Sequence, residues 1–117
     1  MAGEKRKRRV EELIKEEMAA LLQERVSDPR LVGISLTDAS ISADLRICHI
    51  YVSLLGDEEA RKAALTALEG AKGFLRRELG ARLTLRLVPD LIFHLDESLE
   101  RGARIEALLQ KIGAEKK

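Results

Sequence analysis

Residues 70–79 read Gly-Ala-Lys-Gly-Phe-Leu-Arg-Arg-Glu-Leu and follow a run, from about Glu58, rich in good helix formers: Ala60, Ala63, Ala64, Leu65, Ala67 and Leu68. Each glycine inside a helix costs roughly 0.5–1 kcal/mol relative to alanine. Two glycines three apart therefore predict a break or kink between two helices, with bare backbone at the corner. Lys72, Arg76 and Arg77 stand beside that backbone. Helix-start N–H groups with cations alongside suit a phosphate. Laid on a straight helix, Leu68, Ala71, Leu75 and Leu79 share one side, and Lys72, Gly73, Arg76 and Arg77 the other. Gly80 is the expected C-terminal cap.

Upstream of this stretch, Asp57 is placed to cap the helix start, with Glu58 and Glu59 favouring its positive end. Before it come two strand patterns. Val32, Ile34 and Leu36 alternate with Gly33, Ser35 and Thr37, and Ile41 falls out of phase with them, so a bulge is expected near Asp38-Ala39. Ser42-Ala43-Asp44 turns the chain into a second strand, Leu45 to Leu54. Cys48, Ile50, Val52 and Leu54 line one face of it, and Ile47, His49, Tyr51 and Ser53 a mixed one. The two strands read as a hairpin. A first helix is expected from about Arg8 to Arg25, with Val10, Leu13, Ile14, Met18, Leu21 and Leu22 as its apolar stripe. Asp28-Pro29 ends it.

Downstream, Leu83, Leu85, Leu87 and Val88 lead to Pro89 and a third strand, Leu91 to Leu95. Asp96 or Ser98 caps a last helix with Leu99, Ile105, Leu108, Leu109 and Ile112 as its stripe. The order is helix, strand, strand, helix, kink, helix, strand, helix: an α+β fold with its helices on one face of a three-stranded sheet. The 117 residues make one domain, with residues 1–7 a basic arm and 113–117 a tail, both candidates for disorder.

Charged residues are 35% of the chain, yet the formal net charge is only +1. Distribution carries the information. Lys5, Arg6, Lys7, Arg8 and Arg9 are an unbroken basic run, and from Lys72 to Arg86 five cations face only Glu78. Acids gather at Glu11–Glu12, Glu16–Glu17, Asp57–Glu59 and Asp96–Glu97. One positive face on a near-neutral protein is expected. The single cysteine excludes an intrachain disulfide and any multi-cysteine metal cluster. No apolar run approaches the ~18–20 residues of a membrane span, and no secretory signal is evident, so a cytoplasmic protein is expected.

An enzyme is the rival class. Cys48 and His49 are adjacent on a strand and point to opposite faces, so they form no nucleophile–base pair. His49 and His94 would meet if their strands were neighbours, but two histidines without an acid make a poor metal site. No nucleotide-hydrolase phosphate loop and no Ser/His/Asp spacing is present. Neither catalysis, nor a cofactor, nor a metal, nor a small-molecule substrate is expected.

The element order, with a corner between two helices, matches the type II KH arrangement. More specifically, "RRVEELIKEEMAALLQERVSDPRL", "ISADL", "YVSLL", "AKGFLRREL", "LRLVPDLIFHLDES" and "ERGARIEALL" resemble, in that order, the ribosome-binding factor A family of bacterial small-subunit assembly factors. The resemblance implies a KH-like fold, binding to the small ribosomal subunit through its rRNA, and a role in late maturation. It also implies links to processing of the precursor rRNA 5′ end and to growth in the cold. In that family an Ala-x-Gly kink replaces the usual Gly-x-x-Gly loop, and Ala71-Lys72-Gly73 matches it. Gly70 makes the corner a formal Gly-x-x-Gly, the signature that clamps nucleotides in ordinary KH domains. A bent helix pair at Ala71–Gly73, not a separate loop, is the expectation.

With only Tyr51, Phe74 and Phe93 as aromatics, base stacking has few tools, and Lys and Arg contacts to phosphates become the expected source of affinity. The candidate RNA-binding residues are Lys72, Arg76, Arg77 and Arg82, then the arm Lys5, Arg6, Lys7, Arg8 and Arg9. A monomer acting by binding is expected. Two alternatives remain: a KH module for single-stranded RNA unrelated to ribosomes, and an adaptor using the Ile47/His49/Tyr51 face.

Overall fold

The computed structural model describes residues 2–24 and 27–96. The elements are α1 (Ala2–Glu24), a 3-10 turn (Pro29–Leu31), β1 (Ser35–Ile41), β2 (Ile47–Ser53), α2 (Glu58–Leu83) and β3 (Asp90–Leu95). The sheet order is β1-β2-β3. β1 and β2 are an antiparallel hairpin, whereas β3 runs parallel to β2. A parallel pair needs a long crossover, and α2 is that connection.

Parity along the strands sets the two sheet faces. Cys48, Ile50, Val52 and Leu91 are fully buried, and Ala39, Ile41 and Phe93 nearly so. From the helices, Ile14, Met18, Leu21, Leu68, Leu75 and Leu79 are equally buried in the same core. Leu13 leaves the expected stripe and is 41% exposed. It sits one residue, about 100°, around from Ile14, at the edge of the face that α1 turns to the sheet.

α1 begins at Ala2 rather than near Arg8, so the basic run is helical surface and not an arm preceding the helix. Glu4 in the first turn opposes the unfavourable effect of cations at the dipole's positive end. Val10 packs on the core edge. Asp28 caps the following 3-10 turn: its carboxylate accepts the Arg30 N–H and holds the Arg30 guanidinium at 2.7 Å.

β1 also starts later than expected. Val32 caps the 3-10 turn and is 76% exposed, and Gly33 takes a φ of 83°. The bulge falls one position before Asp38: Leu36 pairs with Val52 and Asp38 with Tyr51, which leaves Thr37 as the extra residue. The bulge is what brings Leu36 into phase with Ala39 and Ile41. The Thr37 hydroxyl donates to Asp96 Oδ2 at 2.7 Å.

The glycine corner holds no separate loop, as expected, but it does not part the chain into two helices. α2 is one helix across it, from the Asp57 cap to a C-cap at Thr84. Gly70 and Gly73 do not divide it into two helices, and neither has a positive φ. The energies explain why. The two glycines cost roughly 1–2 kcal/mol together, whereas each fully buried leucine contributes about 1.5–3 kcal/mol. Ala64, Leu68, Leu75 and Leu79 keep one continuous buried stripe only while the helix holds its phase.

Gly80 is inside α2 and is not its cap; Thr84 takes the left-handed conformation instead, with φ 53° and ψ 44°. The expected last helix and the 113–117 tail lie outside the described residues.

Candidate nucleic-acid interface

The predicted cations divide by what already engages them. Arg82 lies among three carboxylates, at 3.2 Å from Glu17, 3.9 Å from Glu24 and 4.0 Å from Glu78, and so ties α2 to α1. Arg76 is half-buried and donates to the carbonyls of Val88 at 3.0 Å and Pro89 at 3.2 Å. It holds the loop before β3 against α2. Lys72 pairs with Glu69 at 3.0 Å, one turn back on the same helix. Arg77 is exposed and has no ion pair among the described residues. The four residues that the sequence groups together thus have four different environments. On α1, Lys5, Arg6, Arg8 and Arg9 are exposed and Lys7 half-buried, again without a carboxylate partner among the described residues.

A groove of about 600 Å³ opens where the first turns of α1, the β1–β2 turn and the α2–β3 loop come together. Arg6, Arg46, Arg76 and Arg86 enter its lining from four separate segments. Of these four guanidinium groups, only that of Arg76 has a hydrogen-bond partner within the described residues. The β1–β2 turn is stiff. Ser42 accepts the Leu45 N–H at its carbonyl, its hydroxyl donates to Asp44 at 2.6 Å, and Leu45 is held at φ 62°. That Ser42 hydroxyl, with the Arg46 N–H, keeps the Asp44 carboxyl below its ordinary range. Arg46 was invisible as a site residue in the sequence, being one cation between Asp44 and an apolar strand. Strand order brings the start of β3 to it, and with that the loop that carries Arg86 into the same groove.

On the sheet's outer face, the expected meeting of His49 and His94 occurs: Nδ1 of the first is 2.8 Å from Nε2 of the second. His94 stacks between His49 and Tyr51, with ring centroids 5.0 Å from each. Cys48 faces the core instead, where burial, followed by the nearby Glu11 charge, pushes its thiol up to about 12. Among the described residues no three His, Cys, Asp or Glu side chains are grouped to hold a metal ion. No described helix is long and apolar enough to cross a membrane.

A helix, a β-hairpin, a long crossover helix and a third strand parallel to the second define a small α+β domain of the KH-like type. The chain belongs to the ribosome-binding factor A family, whose sequence profile matches residues 6–109. It is 46% identical over 107 residues to ribosome-binding factor A of Brevibacillus brevis, covering 92% of this chain and 88% of that one. It is 47% identical over 111 residues to the Dictyoglomus thermophilum protein, covering 94% and 92%. The fold is similar to the crystal structure of ribosome-binding factor A from Thermus thermophilus, with a TM-score of 0.69 and 30% identity over 76% of this chain and 93% of that one. It is also similar to a homology model of Thermus thermophilus ribosome-binding factor A as fitted into the cryo-electron-microscopy map of its 30S complex, with a TM-score of 0.66 and 29% identity over 76% of this chain and 93% of that one.

Proposed function

We propose that this protein binds the small ribosomal subunit through its rRNA and assists late maturation, including processing of the precursor 5′ end. The observation that carries the reading is the Thermus thermophilus relative, of the same fold and family, fitted into a 30S complex. The side chains supply a physical route. Lys5, Arg6, Arg8, Arg9, Arg46, Arg77 and Arg86 are exposed cations without carboxylate partners among the described residues. Neutralising phosphates with such cations releases counterions and makes affinity fall steeply with salt. Arg76 and Arg82 support the fold behind this surface, and Lys72 reaches RNA only by leaving Glu69. The protein acts as a cytoplasmic monomer, by binding and not by chemistry.

Co-sedimentation tests this. The expected result is association with free small subunits, little association with translating ribosomes, and loss of binding as salt rises. Cells depleted of the protein are expected to accumulate small-subunit rRNA with an unprocessed 5′ end, read by primer extension. Tight binding to short oligonucleotides without subunit association would favour the ribosome-independent KH module instead.

A further inference from the structure

We propose that the groove between α1, the β1–β2 turn and the α2–β3 loop is a pocket for one unstacked nucleotide of single-stranded RNA. The inference deepens the rRNA-binding reading and rests on it. The groove's volume, about 600 Å³, is within the range of roughly 300–1,000 Å³ typical of small-ligand sites. Its walls are apolar: Val10 and Ile41 on one side, Leu45 across the turn, Leu87 and Val88 on the loop. Leu87 is 81% exposed although it stands between Arg86 and the half-buried Val88. An apolar lip of this kind suits the face of a base better than it suits water.

The mixed charges of the lining distinguish a nucleotide from a plain phosphate track. Arg6, Arg46 and Arg86 are exposed, and their guanidinium groups make no hydrogen bond or salt bridge among the described residues, Asp44 acting on that of Arg46 only through space, so they are available to phosphate oxygens or to stack on a base. Asp44 and Asp90 line the same groove. Two carboxylates would repel a backbone running along it, but they are acceptors for the amino and imino N–H groups of a base edge. A nucleotide, with a phosphate for the guanidinium groups and a base edge for the carboxylates, satisfies both signs of charge in the one groove. A duplex keeps its bases stacked and does not present one to a pocket.

The walls are held before any ligand arrives. Arg76 fixes the Val88 and Pro89 carbonyls, and the Asp90 N–H donates to the Arg46 carbonyl at 2.8 Å, which joins the loop to the β1–β2 turn. Rigid walls lower the ordering cost of binding.

The experiment uses the full chain, a fluorescent eight-nucleotide single-stranded RNA of mixed sequence, a duplex of the same sequence, and purified small subunits. Arg46→Gln with Arg86→Gln is expected to weaken single-strand binding about tenfold or more. It should also lower the slope of log affinity against log salt by about 1.4, the value for two phosphate contacts. Leu87→Ser, at an exposed position, is expected to weaken binding about three- to tenfold with the salt slope unchanged, the signature of a lost base contact. Lys62→Gln, on the outer surface of α2, should change neither. An RNA carrying one 4-thiouridine should crosslink to the peptides containing Leu45 or Leu87. Thermal melting verifies that each variant folds. Unchanged affinity in both groove variants, with wild-type binding intact, would overturn the pocket and leave the rRNA reading standing. Equal affinity for duplex, or an acidic peptide displacing the RNA from the crosslinked site, would also overturn it. Failure of the wild-type chain to bind small subunits at all would sink the rRNA reading itself.

Discussion

Gly80 and Val88 approach so closely that a β-carbon on residue 80 would lie 2.5 Å from Val88 Cγ2. Val88 cannot easily retreat, because Arg76 holds its carbonyl at 3.0 Å. Gly80→Ala gains helix propensity, about 0.5–1 kcal/mol, but overpacking typically costs about 1–3 kcal/mol. The clash should win, for a net loss of about 1–2 kcal/mol and a fall in Tm of roughly 5–10 °C. Placing Gly80→Ala in a Val88→Ala background should remove most of that loss. An undiminished penalty there would mean that Val88 is not the cause.

The two corner glycines should behave in the opposite way. A β-carbon at Gly70 meets nothing within 4 Å, and one at Gly73 only Arg77 Nη1 at 4.0 Å. Both positions are helical. Gly70→Ala and Gly73→Ala are each expected to stabilise the protein by about 0.5–1 kcal/mol, measured by chemical denaturation. Destabilisation by either would show that α2 is interrupted at the corner in solution.

This contrast shows where the sequence was legible. Side-chain parity placed Cys48, Ile50 and Val52 in the core, because every second residue of a strand faces one way whatever lies around it. The same rule put His49 and His94 on one face, and the out-of-phase Ile41 required a bulge, found at Thr37. The glycine corner does not part α2, because the cost of its glycines is local, whereas the leucines that override it are buried by distant elements. Gly80 was misread, since its reason is Val88 across a loop. The candidate site was harder still. For Arg82 the sequence shows a cation and only the fold shows Glu17 and Glu24 facing it, and Arg46 gains meaning only from sharing a groove with Arg6 and Arg86. Whether a cation is engaged or available depends on contacts that no periodicity records.

Arg82 illustrates the distinction experimentally. Its side chain is 24% exposed and that of Glu17 34%. A partly exposed, charge-assisted bond of this geometry is worth about 1 kcal/mol. Arg82→Gln should therefore lower stability by about that amount, with the difference narrowing in about 1 M salt as the pair is screened. Affinity for small subunits should stay within about twofold of wild type, since the guanidinium is already engaged by carboxylates. A tenfold loss of affinity with unchanged stability would restore Arg82 to the RNA interface.

Cys48 supplies the pH test. Burial, with a smaller push from Glu11, raises its thiol from an ordinary value of 9.0 to about 12. An acid whose folded value is raised stays neutral in the fold while the unfolded chain ionises. Its contribution to stability is therefore complete below pH 9 and is lost as pH climbs from about 9 toward 12. Between about pH 9 and 11 the wild-type Tm should fall more than that of Cys48→Ala, which lacks the thiol; parallel curves would refute the assignment. The same burial predicts chemical silence. Only the thiolate reacts, so at about pH 8 a thiol reagent such as 5,5′-dithiobis(2-nitrobenzoate) should label the native protein no faster than it opens, and in guanidinium chloride at once. Rapid labelling of the folded chain would place Cys48 at the surface and contradict the packing of β2 against α1 and α2.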